Sequence, residues 1–65
     1  MDTWYVIRDG SVFFKGFEGA NPVWTADIDR ALHYGEQSAH RQVGGLANAH
    51  RLVVVPHKTR IGKRT

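Results

Sequence analysis

The stretch WYVIRDGSVFF, Trp4 to Phe14, decides the fold. Asp9-Gly10 between two apolar runs is a strong local hairpin signal, because a type I′ turn needs positive φ at both central residues. With that pair at the turn, Arg8 faces Ser11, Ile7 faces Val12, Val6 faces Phe13, Tyr5 faces Phe14 and Trp4 faces Lys15. Side chains alternate across a strand. One face of the ribbon then carries Tyr5, Ile7, Val12 and Phe14 and is the expected core face. The other carries Trp4, Val6 and Phe13, framed by Arg8 and Lys15. Two apolar faces on one ribbon make the cover over the second face the central question.

Downstream, KGFEGANP (Lys15 to Pro22) has two glycines, an asparagine and a proline and reads as a loop. Val23-Trp24-Thr25 reads as a brief third strand or as an anchor placing Trp24 in the core. Thr25 can cap a short helix or a single helical turn beginning near Ala26, with Asp27 and Asp29 in its first turn, where carboxylates complement the helix dipole. Ile28, Ala31 and Leu32 share one face of it, and Gly35 stops it. In EQSAHRQVGGLANA a second helical face is formed by Ala39, Val43, Leu46 and Ala47, with Gly44 and Gly45 either ending the helix or allowing it close to the sheet. Leu52 to Val55 reads as an inner strand beside the first, ended by Pro56.

The reading is one small α+β domain over residues 1–57, an antiparallel three- to four-stranded sheet made of the N-terminal hairpin plus the C-terminal strand, with one or two short helices on one face. Residues 58–65 read as a basic C-terminal tail.

Sixty-five residues bury little surface, and with no cysteine neither a disulfide nor a thiolate metal site can reinforce the core. That leaves oligomerisation as a remedy, homodimerisation being the simplest form. No apolar run could span a bilayer and the N-terminus lacks a signal-peptide pattern, which together imply a cytoplasmic protein without a membrane partner. The net charge of +3 is unevenly distributed: residues 1–49 sum to −2, whereas residues 50–65 carry five basic side chains and no acid. A basic end attracts polyanions or serves as a solubilising tail.

The chemistry expected of an enzyme is missing from the pattern. His33, His40, His50 and His57 lack metal-ligand spacing and read as solvated surface groups. Ser38 and His40 diverge at i and i+2 on a helix, and Asp27 and Asp29 have helix-start electrostatics as their reason. No phosphate-binding loop follows a strand. The expectation is a non-enzymatic protein without cofactor, metal or small-molecule substrate.

Three covers suit the second hairpin face. The loop of residues 16–22 could fold back with Phe17; a protein partner or second copy could dock there, with Trp4, Val6 and Phe13 as anchors and Arg8 and Lys15 on the rim; or nucleic acid could stack on its aromatics. For nucleic acid, Arg51, Lys58, Arg60, Lys63 and Arg64 would supply phosphate contacts.

The order YVIRDG, an aromatic pair, a glycine loop, WTADIDRALHY and a closing RLVVV resembles small phage and prophage ββαβ proteins over residues 4–55. Some small phage proteins of this size inhibit host defence, anti-CRISPR proteins among them. The resemblance implies an inhibitor or adaptor of a host complex, acting in the host cytosol. Such inhibitors are often acidic nucleic-acid mimics, from which the basic C-terminus departs, so the mode implied is steric occupation of a partner's surface.

Overall fold

The computed structural model describes residues 2–60. Strands β1 (Asp2–Asp9), β2 (Val12–Glu18), β3 (Asn21–Thr25) and β4 (Val53–Arg60) form one antiparallel sheet in the order β3-β2-β1-β4. A 3₁₀ turn at Ile28–Arg30, helix α1 (Glu36–Gly44) and a 3₁₀ turn at Ala49–Arg51 lie between β3 and β4. The α+β class and the hairpin-plus-C-terminal-strand sheet follow the sequence expectation.

The hairpin register does not. Asp9 pairs with Val12 and Arg8 with Phe13, so Gly10 and Ser11 form the turn. Gly10 has φ +63, and no described residue other than glycine has positive φ. The turn therefore has a glycine only at its first central position, the requirement of type II′ rather than I′. The supposed loop after Lys15 is a second hairpin of the same design: Glu18 pairs with Asn21 around Gly19 (φ +64) and Ala20.

Three irregularities shape the sheet, one of them on β4, where the pairing steps from Tyr5–Pro56 to Trp4–Lys58 and leaves His57 as the extra residue. On β2 the pairing steps from Phe14–Trp24 to Gly16–Val23, leaving Lys15 as the extra residue of a bulge beside Gly16 at φ +134. Between β1 and β2, paired at Arg8–Phe13 and Asp9–Val12, the segment Leu32–Tyr34 enters farther from the turn. The Leu32 N–H donates to the Phe14 carbonyl at 3.0 Å, and Tyr5 and Tyr34 exchange two backbone bonds of 2.8 Å.

The first core lies under α1, where Ile7, Phe14 and Leu46 are buried against Trp24, Tyr34, Val43 and Leu52. Phe14 meets the rings of Trp24 and Phe17 edge-on at 5.4 and 5.2 Å. Helix α1 starts after an extended Gly35, buries Ala39, and stops at Gly44, where the Gly45 N–H returns to the Gln42 and Val43 carbonyls. Ala47, expected on the same apolar face, is exposed.

The second face is covered too, which corrects the expectation that helices shield one side only. Val6 is fully buried, outside the α1 cluster, as is Ala31 at 6% exposure. The segment that reaches this side is Ile28–Tyr34, which carries a single 3₁₀ turn, the shorter of the two forms expected after Thr25. Asp27 is the cap, accepting the Asp29 N–H at 3.0 Å, while Thr25 Oγ1 accepts the Asp27 N–H. Asp29 reaches Lys58, which pairs with Trp4 across β1 and β4 and so shares its face.

β4 is an edge strand rather than an inner one, and it continues beyond Pro56 to Arg60. Pro56 tolerates the strand because Tyr5, opposite it, directs its own N–H and carbonyl to Tyr34, away from β4. A proline at such a position removes no bond from the β1–β4 ladder.

Candidate functional site

The residues expected to form a docking face are brought together, but not as an open apolar patch. Trp4 and Phe13 are half-buried, Arg8 is half-buried between Phe13 and Val53, and Lys15 is exposed at the β2 bulge. Val6 has no exposed surface. It pairs with Val55 beneath the covering segment, so it is a core residue and cannot anchor a partner.

Arg51 and Lys58, expected at phosphates, each hold an internal carboxylate. Arg51 Nη2 donates to Asp9 Oδ2 at 2.8 Å and Asn48 Nδ2 donates to the same oxygen at 2.6 Å, fastening the hairpin end to the connection between α1 and β4. The Arg51 hydrogen bond is the main cause that holds the Asp9 carboxyl below its ordinary range, with Asn48 adding to it against a desolvation effect. The side chain of Arg60, and Lys63 and Arg64 entirely, lie outside the described residues.

Asp29 forms a similar node. His57 Nε2 and Lys58 Nζ both lie 3.1 Å from its Oδ1, and these two contacts, His57 first, lower its pKa. His33 adds a ring 5.3 Å from that of His57 and places Nδ1 2.9 Å from the Ala31 carbonyl. His33 and His57 are therefore half-buried structural groups rather than solvated ones, while His40 and His50 are exposed. Among the described residues no group of three or more His, Cys, Asp or Glu side chains is arranged to hold a metal ion, and no helix is long and apolar enough to cross a membrane.

A concave feature that the sequence reading missed is at the β2 bulge. Lys15, Gly16, Phe17, Glu18 and Val23 line a shallow cleft of about 190 Å³. Phe17 is 52% exposed even though its ring edge rests on Phe14. Leu32, 42% exposed, borders the cleft, since a Cβ at Gly16 would lie 3.5 Å from Leu32 Cδ1. The bulge is what opens this surface: the extra residue turns Lys15 out, and the φ of Gly16 is closed to ordinary side chains. A usable signal was present in Phe17-Glu-Gly-Ala-Asn, a glycine turn between strand-like flanks that repeats the pattern around Gly10.

Comparison with protein-family models, curated proteins and solved structures gives no match for this chain.

Proposed function

We propose that this chain is a non-enzymatic binding protein that engages another protein at the β2 bulge, as an inhibitor or adaptor that occupies the partner's surface. The observation that supports the reading is Phe17, left exposed at the cleft while the other described aromatics are at least half-buried, with the exposed Leu32 beside Gly16. Sites for small molecules usually span about 300–1,000 Å³, so a cleft of about 190 Å³ suits one inserted side chain better than a substrate. Lys15 and Glu18 give it a rim of both charges, as protein interfaces have. The phage-like pattern of YVIRDG and WTADIDRALHY extends the proposal to a host complex as the partner and the cytosol as the place of action.

The test is site-directed photocrosslinking in the cells that express the protein, with a benzophenone side chain at Phe17, at Leu32 and, as a control, at Gln37 on the exposed side of α1. One discrete protein adduct from the first two positions and none from the third is expected. Wild-type chain should compete for it, and Phe17→Ser should compete roughly thirtyfold less well, the loss of one interface anchor of about 2 kcal/mol. Adducts from all three positions alike, or adducts only to nucleic acid, would overturn the proposal.

A further inference from the structure

β4 forms the edge of the sheet opposite the β2–β3 bulge. Tyr5 commits both backbone groups to Tyr34, so the Tyr5–Pro56 pair is one in which neither partner bonds the other. Alternation makes Ile7–Val54 a pair of the same kind, and the N–H and carbonyl of Val54 and the carbonyl of Pro56 point away from the sheet. Among the described residues no backbone hydrogen bond from outside the sheet reaches Val53–Arg60. We propose that this edge captures an extended peptide whose short apolar centre is flanked by carboxylates, adding it as a fifth strand.

The chemistry of the edge selects that occupant. Val53, 45% exposed, and its two valine neighbours form the centre, with Arg51 before them and Lys58 after them. The side chains of Arg51 and Lys58 are 61% and 56% exposed, and among the described residues each is paired with one carboxylate. The Lys58–Asp29 pair is exposed at both ends and therefore weak, and the guanidinium that reaches the largely buried Asp9 is itself open to solvent, which leaves both cations able to take a second carboxylate. A second copy fits poorly. Antiparallel pairing about Val54 would bring the Arg51 end of each copy to the His57–Lys58 end of the other, no acid occurs in residues 50–65, and Pro56 offers no N–H.

Strand addition takes its affinity from the main chain and its selectivity from side chains, so the two parts can be tested separately. The full ¹⁵N-labelled protein is titrated with a capped Glu-Val-Thr-Val-Thr-Val-Glu peptide, with its Lys-flanked counterpart, and with a Glu-flanked form N-methylated along one edge. At about ten times its Kd, the Glu-flanked peptide should slow exchange of the Val54 amide about tenfold, leaving Lys15 to Glu18 unchanged. The Lys-flanked and N-methylated peptides should have little effect. Equal protection by Glu- and Lys-flanked peptides, an unprotected Val54 amide, or protection that rises with protein concentration without peptide would overturn the proposal, the last by making a second copy the occupant.

Discussion

Asp9 illustrates how a residue can be misplaced while the face it belongs to is read correctly. The Asp9-Gly10 pair suggested a turn centred on both, whereas Asp9 ends β1 and only Gly10 takes positive φ. The resulting register differs by two residues, one full side-chain period, so Tyr5, Ile7, Val12 and Phe14 remain together. A slip of one would have exchanged the faces. What local propensity could not disclose is that Asp9 is held by Asn48 and Arg51 from the far end of the chain. Asp9 and Asp29 both have folded pKa values below the ordinary 3.8, so the folded chain binds fewer protons than the unfolded one as pH falls past that value. Their stabilisation is complete above about 3.8 and is lost as pH drops through the lowered folded values. Asp9→Asn and Asp29→Asn should each lower stability at neutral pH and flatten the decline on the acid side, read as urea midpoints across a pH series. Parallel acid limbs for wild type and both variants would mean that the pairs contribute nothing.

At the scale of elements, the strands were legible where apolar runs met glycine turns, and β4 was legible as a strand but not as an edge. Four consecutive apolar residues suggest an inner strand buried from both faces, whereas β4 has no neighbour on its far side and leaves Val53 exposed. Helix α1 was legible from Ala39 and Val43, and of the two roles open to the double glycine the structure has the one that ends the helix, before Leu46. The prolines carry information that the sequence alone leaves undecoded: the chain has two, Pro22 and Pro56, and each sits on one of the two edge strands. Edges protected in this way resist pairing with copies of themselves. Pro56→Val should leave the β1–β4 ladder intact, because the restored N–H points outward, while making the edge more adhesive. Sedimentation should show a monomer for wild type and self-association for the variant, strongest at high salt, where repulsion among Arg51, His57 and Lys58 is screened. Unfolding of the variant instead would place the Pro56 nitrogen on the β1 side and remove the geometric basis of the edge argument.

For the molecule as a whole, the decisive feature is that one sheet is covered on both faces although the described residues include a single α-helix. The second cover was hard to read because Ile28–Tyr34 has almost no periodic signal. It works through one 3₁₀ turn, a small buried Ala31, three backbone bonds to Phe14 and Tyr5, and the Asp29 contacts to β4. The bulge cleft was hidden for a related reason, since Gly16 and Gly19 together look like a loop although one supports a bulge and the other a turn. A domain of this size is held by only about 3–10 kcal/mol in total, so each face should matter measurably. Ile7→Ala, under α1, should cost about 2–5 kcal/mol. Val6→Ala, under Ile28–Tyr34, should cost roughly 1.5–3 kcal/mol from lost methyl burial and the cavity left behind. An exposed valine on an open sheet face would lose little on the same change. Urea unfolding of the two variants therefore separates a sheet with two covered faces, in which both midpoints fall, from a one-sided sheet, in which only Ile7→Ala destabilises and the Val6 face is again available to a partner.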